Sequence, residues 1–276
     1  MEEEKAKKIV REGYAKVAQT ECSCYTTDSS CCSGPSLAED ISRQIGYSDE
    51  DMQAVPEGAN LGLGCGNPVA LASLIEGETV VDLGSGPGFD SFLAARRVGQ
   101  TGRVIGVDMT PEMIDKAREN ARKGGFENVE FRLGEIEHLP IADNSADAII
   151  SNCVINLVPD KKAVFADAFR ILKPGGRLMV SDIVLLKELP QAVKESVAAY
   201  VGCVAGASIK ADYIGAIEKA GFDPVEVIEE KGFPITLMAN DPTGKAVMES
   251  MDIKEADATE LGSSIASVSV FARKPG

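Results

Sequence analysis

Three of the seven cysteines stand where a thiol is poorly placed for simple packing. Cys65 lies between two glycines, Cys203 follows a glycine, and Cys153 comes directly after an apolar run. A free cysteine most often serves as a small buried hydrophobe. Thiolates also bind soft metal and metalloid ions, and they exclude hard ones. Three thiols on segments that converge over one pocket therefore favour a shared soft ligand over three separate packing residues.

The other four cysteines, Cys22, Cys24, Cys31 and Cys32, lie in a segment rich in Ser, Gly and Pro, which predicts a loop. This loop is either a flexible segment that tolerates thiols or an entry site for a soft ion. Its Cys-x-Cys and Cys-Cys spacings do not match the spacing of zinc sites. The single histidine of the sequence, His138, is interpreted as a surface or pocket-rim residue rather than a catalytic base.

A glycine-rich turn is the second feature that could do chemistry. An apolar run at 80–83 leads into a turn in which an acid and three glycines alternate with other residues, as Asp82-x-Gly84-x-Gly86-x-Gly88. The turn is not a dinucleotide fingerprint, because its sixth position from Gly84 is Phe89. It is not a Walker A loop, because no Gly-Lys-Ser/Thr follows. An ordinary glycine turn between a strand and a helix is the remaining alternative.

The pattern resembles motif I of the class I S-adenosylmethionine-dependent methyltransferases, in which the turn holds the methionine end of the cofactor. This resemblance implies cofactor contacts from Asp82, Gly84, Ser85, Gly86 and Gly88.

Asp108 lies 20 residues after Gly88, at the end of the next apolar run. Doubly wound nucleotide folds place a carboxylate there to bind the ribose hydroxyls, and such charge-assisted hydrogen bonds are about twice as strong as neutral ones. Asp108 could instead serve only as a helix cap. We predict that Asp108 and the adjacent Met109 contact the cofactor.

Two later segments complete the predicted cofactor site. In the methyltransferase pattern, the turn after the third strand lies against the adenine, and Glu135 and Ile136 occupy that turn here. An acidic side chain there would bind the exocyclic amine, and an apolar one would cover the ring. Asn152 ends the fourth apolar run, directly before Cys153. Because ligands of open α/β sheets bind beyond the carboxyl ends of the strands, we expect both residues at one crevice.

The elements that must position these residues follow from the apolar periodicity. Strand and helix patterns alternate from residue 79 onward, which predicts a doubly wound α/β fold with a mostly parallel sheet, of class I methyltransferase type. The predicted strands are 80–83, 103–108, 128–133, 146–151, 176–182, 225–229 and 267–273. The predicted helices are 2–19, 37–44, 48–54, 69–74, 90–98, 111–123, 160–172, 190–201 and 210–220. Lys173-Pro-Gly-Gly176 is expected to end the helix before it.

Three divisions of the chain are predicted: an N-terminal helix and Cys-rich loop extension at 1–60, a catalytic domain at 61–205, and a smaller C-terminal accessory region at 206–276. The formal net charge of −15 disfavours nucleic acid and anionic membranes as partners. No apolar run approaches the ~20 residues that span a bilayer. The charged beginning, Met-Glu-Glu-Glu-Lys, lacks an apolar signal core, so a cytoplasmic location with reduced thiols is expected.

The contexts of the cysteines resemble those of the arsenite methyltransferase family. The resemblance runs from Val10 to the last strand, and it is carried by Ser-Asn-Cys153-Val-Ile-Asn-Leu, Gly-Cys65-Gly-Asn-Pro, Asp108-Met-Thr and Gly-Cys203. It implies that Cys65, Cys153 and Cys203 hold arsenic(III), with arsenite and methylarsenite as substrates. It also implies successive methylation from S-adenosylmethionine, with no metal cofactor. A thiol reductant such as thioredoxin or a small thiol would return the enzyme to its starting state after each reaction.

Family members also use an N-terminal cysteine that can form a disulfide with the one matching Cys65. Cys31 and Cys32 both fall in the right region, so the resemblance does not choose between them, and Cys22 and Cys24 receive no role.

The chemistry agrees with the resemblance, because arsenic held by three thiolates keeps a lone pair and needs no deprotonation, only positioning. Two alternatives stay open. One is a C-methyltransferase of a quinone-like molecule, and the other is a thiol-rich metalloid buffer without turnover.

Overall fold

The structure, a computed structural model, describes residues 3–19, 37–189, 191–194, 203–232 and 262–276. One sheet of seven strands runs through it in the order β3-β2-β1-β4-β5-β7-β6. The strands are β1 (Thr79–Leu83), β2 (Arg103–Asp108), β3 (Val129–Leu133), β4 (Ala146–Asn152), β5 (Leu172–Leu185), β6 (Val225–Gly232) and β7 (Ile265–Arg273). Strands β1 to β5 pair in parallel, whereas β7 is antiparallel to both β5 and β6. The predicted mostly parallel sheet is confirmed.

Helices flank the sheet, and most begin and end close to the predicted residues, whereas the helix predicted at 69–74 spans only 68–71. They are α1 (Glu3–Gln19), α2 (Leu37–Gln44), α3 (Asp49–Gln53), α4 (Pro68–Leu71), α5 (Phe89–Val98), α6 (Pro111–Gly124), α7 (Lys161–Ile171), α8 (Gln191–Lys194) and α9 (Lys210–Lys219), with a 3-10 turn at Ile155–Leu157. Local chemistry sets several of these ends. Ser48 and Asp51 form a capping box at α3, and the Asp160 carboxylate accepts two backbone N–H groups at the start of α7.

The apolar core lies on both faces of the sheet, which is why β1 and β4 read as nearly continuous apolar runs. On one face Val81 and Ile149 pack with Phe165 of α7. On the other face Val80 packs with Leu93 of α5. The strand order reverses between β1 and β4, so the two strands form the topological switch point at which open α/β sheets bind ligands.

The passage from α7 into β5 differs from the sequence-based expectation. The helix ends at Ile171 because Leu172 already has extended backbone angles and pairs with Ala146 of β4. The Lys173–Gly176 segment, expected to end the helix, therefore lies inside a longer strand. An ion pair of Lys173 with Asp147, with nitrogen–oxygen distances of 2.7 and 2.8 Å, fixes the segment there.

Two further expectations concern the C-terminal third of the chain. Only residues 191–194 of the predicted helix 190–201 are described, and the rest of it lies outside the described residues. Strands β6 and β7 belong to the same sheet as β1 to β5, so the division at residue 205 stays a prediction. Within the described ranges, no helix is long and apolar enough to cross a membrane.

Candidate active site

A large pocket opens at the carboxyl ends of β1, β2 and β4. Its empty volume, which includes space open to solvent, is about 1010 Å³. The predicted residues that line it are Asp82, Gly84, Ser85, Gly86, Asp108, Met109, Ile136, Asn152 and Cys153. The remaining predicted residues that the structure describes, Gly88, Glu135, Cys65 and Cys203, are not part of this lining.

The three glycines of the turn have different reasons to be glycine. All three have positive φ angles, but a methyl group at Gly84 would collide with the Val154 side chain. At Gly88 it would lie 2.7 Å from ring atoms of Phe92 and Phe131. At Gly86 it would meet no described atom within 4 Å. Gly86 is therefore the glycine whose open face is available to a ligand.

Asp108 is fixed at the rim of the turn by backbone donors. Its Oδ2 accepts a hydrogen bond from the Gly86 N–H at 3.0 Å, and its Oδ1 accepts one from the Thr110 N–H at 2.8 Å. Burial raises the pKa of Asp108, and these backbone hydrogen bonds oppose the rise. Each carboxylate oxygen keeps a further lone pair. The side chain can therefore accept two hydroxyl groups in a geometry set before a ligand arrives.

Two buried polar atoms of the pocket lack a hydrogen-bond partner among the described residues: Asn60 Nδ2 and Ser85 Oγ. The other end of the Asn60 amide is held, because its Oδ1 accepts from Ser42 Oγ at 3.0 Å and from the Gly62 N–H at 2.9 Å. Buried polar groups are nearly always paired, so these two atoms indicate a polar ligand. With Asp108, they fit a ligand that carries ribose hydroxyls and an acceptor group such as a carboxylate.

Helix α1 covers one side of the pocket through Val10 and Tyr14. Lys7 of this helix lies 2.8 Å from Glu135 Oε2 and 3.0 Å from Glu137 Oε1. Lys7 thus pairs with both acids, but only the buried Glu137 lines the pocket together with Ile136, and Glu135 does not. Sequence reasoning missed Glu137, although it lies in the same turn as the two predicted residues.

Two buried carboxyl groups lie beneath the turn. Asp82 accepts a hydrogen bond from Ser91 Oγ at 2.6 Å, and Asp90 accepts one from Tyr47 Oη at 2.6 Å. Desolvation raises the pKa of both groups, and the charge of Asp90 raises that of Asp82 further. Burial and mutual repulsion therefore favour protonation of one group of the pair at neutral pH, and the remaining negative charge favours a cationic ligand in the pocket above.

Asp82→Asn is expected to stabilise the ligand-free protein at pH 8 but not at pH 4. The folded-state pKa of Asp82 lies above its unfolded value, so its ionisation favours unfolding as the pH rises between the two values. Each pKa unit is worth about 1.4 kcal/mol, which in a chain of this size corresponds to about 2–4 °C in Tm. Thermal unfolding at the two pH values measures the effect. Ser91→Ala, which removes the hydrogen bond but keeps the carboxyl group, should stabilise at neither pH; an equal Tm gain for Asp82→Asn at both would contradict the prediction.

The three predicted thiols come together beside the pocket, and all three are free cysteines. The Cys65 and Cys153 sulfur atoms lie within 4.8 Å of one another and of a carboxylate oxygen of Asp182. Cys203 Sγ donates a hydrogen bond to the Cys153 carbonyl oxygen at 2.9 Å. Burial raises the pKa of Cys65, while a hydrogen bond with Cys153, followed by burial, raises that of Cys203. The pKa of Cys153 is raised as well, so the three thiols are protonated at neutral pH when no ligand is bound to them.

The backbone around the thiols is held firmly in place. Cys153 and Cys203 have φ angles of 57° and 64°, a left-handed conformation that costs free energy in residues other than glycine. The Cys153 N–H donates to the Ser181 carbonyl at 2.8 Å, and Ser267 Oγ donates to the Cys65 carbonyl at 2.6 Å. Strained residues held by such contacts are typical of binding sites.

Asn152 joins the thiol site to the pocket. Its Oδ1 accepts from the Cys65 N–H at 3.0 Å, and its Nδ2 donates to the Gly66 carbonyl at 2.9 Å. Nδ2 also lies 2.9 Å from Tyr47 Oη and 3.1 Å from Asp90 Oδ2. The residue predicted to contact the cofactor thus lines the pocket and also positions the Cys65 loop. The N-terminal cysteines at 22, 24, 31 and 32 lie outside the described residues.

Comparison with known proteins agrees with this geometry. A family model described as a methyltransferase domain matches residues 74–232. The arsenite methyltransferase of Halobacterium salinarum is 46% identical over 281 residues, covering 99% of this chain and 67% of that protein. That of Aquipseudomonas alcaligenes is 37% identical, with 82% and 65% covered. The chain thus spans about two thirds of the length of these relatives.

A crystal structure of an arsenic(III) S-adenosylmethionine methyltransferase from Chlamydomonas reinhardtii superposes with a TM-score of 0.61 at 32% identity, covering 88% of this chain and 74% of that one. The sheet order, the glycine turn and the matched domain define an S-adenosylmethionine-dependent methyltransferase of the class I type. Within that class, the chain belongs to the arsenite methyltransferase family.

Proposed function

We propose that this protein transfers methyl groups from S-adenosylmethionine to trivalent arsenic held by Cys65, Cys153 and Cys203. The observation that carries the proposal is the approach of three free thiols beside the pocket: the Cys65 and Cys153 sulfur atoms lie within 4.8 Å of one another, and Cys203 Sγ donates a hydrogen bond to the Cys153 carbonyl oxygen. Of these three residues, Cys153 is the one that lines the pocket, so arsenic bound to it would face the cofactor. Membership of the arsenite methyltransferase family supports the same substrate.

The protonation state of the thiols suits this substrate. Arsenite at neutral pH is the neutral acid As(OH)₃, and its exchange with three thiols gives As(SR)₃ and three molecules of water. No net proton is released, so raised thiol pKa values do not oppose binding as they would oppose binding of a divalent cation. The product keeps the arsenic lone pair, which is the nucleophile, and no general base is needed.

The cofactor supplies the methyl group, and the chain supplies its position. Asp108 would accept the ribose hydroxyls, the open face of Gly86 would leave room for the cofactor, and Ile136 and Glu137 would lie against the adenine base. Orientation alone can lower a barrier by several kcal/mol, up to ~7–11 in ideal cases.

The proposal also covers the reductant, the division of the chain and the location of the protein. A thiol reductant, with Cys31 or Cys32 as a relay to Cys65, would return the system to its starting state. The division of the chain at residues 60 and 205 also remains a proposal. A cytoplasmic location fits the need of three free thiols for a reducing compartment.

The proposed function is tested by incubating the protein with S-adenosylmethionine, arsenite and a thiol reductant, followed by chromatography with elemental detection of arsenic. Methylated arsenicals are the expected product. Bound arsenite without methylated product would favour the metalloid buffer. Failure of arsenite to bind would return attention to an organic acceptor.

Asn60→Leu is expected to weaken cofactor binding by about 10–100-fold through loss of one hydrogen bond to a charged group, worth about 1.5–3 kcal/mol. We expect Asn60 Nδ2 to donate to the carboxylate of the cofactor's methionine part, since its Oδ1 is already held by two donors. Calorimetry should compare S-adenosylhomocysteine with 5′-methylthioadenosine, which lacks the carboxylate. Loss for the first ligand alone supports the assignment; equal loss for both would refute it.

A further inference from the structure

A buried carboxyl group stands beside the thiol site without a role in the pocket. Asp182 of β5 has only 1% of its surface exposed, and one of its oxygens lies within 4.8 Å of both the Cys65 and the Cys153 sulfur atoms. Placing a carboxylate in the protein interior costs free energy unless it is paired with a cation. Within the described ranges Asp182 forms no ion pair, because the nearby Lys161 donates instead to the carbonyl groups of Val158 and Gly206.

Neutral donors hold the Asp182 carboxylate in place. Its Oδ1 accepts from Asn156 Nδ2 at 2.7 Å and from the Ile183 N–H at 2.9 Å, and its Oδ2 accepts from Tyr213 Oη at 3.1 Å. These bonds fix the orientation of the group but leave its charge without a counter-charge in contact. Burial raises the pKa of Asp182 to about 7, while the Ile183 N–H, the charge of the nearby Lys161 and the Tyr213 hydroxyl oppose the rise, so the carboxylate form predominates above about pH 7. A fixed, buried carboxylate with no cation in contact acts strongly on any charge that develops nearby.

The proposed reaction develops a positive charge at that place. In As(SR)₃ the arsenic is neutral, whereas the sulfonium of S-adenosylmethionine carries one positive charge. The arsenic lone pair forms the As–C bond, the sulfonium C–S bond breaks, and its electron pair stays on sulfur. Arsenic passes formally from +3 to +5, the cofactor sulfur becomes a neutral thioether, and the positive charge moves to arsenic.

Building on the proposed function, we propose that the Asp182 carboxylate stabilises the positive charge that develops on arsenic during methyl transfer. Arsenic bonded to Cys65 and Cys153 would lie close to the carboxylate, because both sulfur atoms do. The charge reaches arsenic only as the methyl group is transferred. The stabilisation is therefore greater in the transition state than in the bound substrate, which is the condition for accelerating the chemical step.

Asp182→Asn tests this proposal, because it removes the charge at nearly constant shape. The amide oxygen can accept from Asn156 and Ile183, and its NH₂ group can donate to the hydroxyl of Tyr213. In a single turnover of the arsenite-loaded protein, the rate of the first methyl transfer should fall by at least about tenfold. Dissociation constants for arsenite and S-adenosylhomocysteine should change less than about threefold, and the Tm of the ligand-free protein should not fall.

Tyr213→Phe is the matched control, because it removes one hydrogen bond to the same carboxylate and keeps the charge. Its methyl-transfer rate should fall less than that of Asp182→Asn, because the charge and two of its three hydrogen bonds remain. An unchanged rate in Asp182→Asn would overturn the proposal. So would a loss of arsenite affinity as large as the loss of rate, or an equal loss of rate in Tyr213→Phe. An inactive wild-type protein would refute the proposed function itself, so the wild type is measured first.

Discussion

Cys153→Ser is expected to abolish methylation of arsenic and to weaken arsenite binding by more than about 10²-fold. Removal of an outer partner at a metal site already costs 10–100-fold, and here one of three bonds to arsenic would be lost. A serine hydroxyl is a hard donor that stays protonated at neutral pH, so it does not replace a thiolate. Cys153 also lines the cofactor pocket, so its loss removes the bond that brings arsenic to the methyl group.

The prediction is checked by titrating arsenite into the variant and by measuring methylated arsenicals. Cys65→Ser and Cys203→Ser should show the same loss of arsenite binding, with affinity for S-adenosylhomocysteine retained in all three. Cys24→Ser is the matched control, since no role is assigned to that thiol, and it should keep the wild-type stoichiometry. Unchanged arsenite stoichiometry in Cys153→Ser would show that the ligand set is wrong.

The sequence predicts the fold and the main cofactor residues because they depend on local patterns. A strand, a glycine turn and a helix follow one another within 20 residues, and Asp108 ends the next strand. The carboxyl ends of parallel strands meet at one edge, which places Asp108 and Cys153 at the same crevice.

The parts that the sequence does not predict depend on contacts between distant residues. Glu135, Ile136 and Glu137 follow one another in a turn, and Lys7 of α1 pairs with both acids, but only Ile136 and Glu137 line the pocket. The alternation of apolar and polar residues along β5 does not predict that Asp182 lies beside the thiols either. The register between β4 and β5 puts it there, because Asn152, the residue before Cys153, pairs with Ser181, the residue before Asp182. The orientation of the Asn60 amide is likewise set by a distant residue. Ser42 of α2 donates to its Oδ1, which leaves Nδ2 as the donor available to a ligand.

Asp108→Ala should weaken S-adenosylmethionine binding by about 10²-fold or more and leave arsenite binding in the absence of cofactor nearly unchanged. Two hydroxyl groups lose a charged acceptor, and a hydrogen bond to a charged group contributes about 1.5–3 kcal/mol. The Gly86 and Thr110 N–H groups also lose their acceptor, so the turn proposed to hold the cofactor should loosen. The thiols are held by other contacts, from Asn152, Ser181 and Ser267.

Calorimetry with each ligand alone separates these two effects. Asp108→Asn is the matched control, because its Oδ1 can still accept from the Thr110 N–H while the charge is lost. If the charge-assisted bonds to ribose dominate, the Asn variant should lose most of the affinity that the Ala variant loses. If the Asn variant binds nearly as well as wild type, Asp108 acts chiefly by holding the turn. Equal loss of cofactor and arsenite affinity in either variant would refute the assignment, because it would mean that the two sites depend on Asp108 through the fold and not through the ribose.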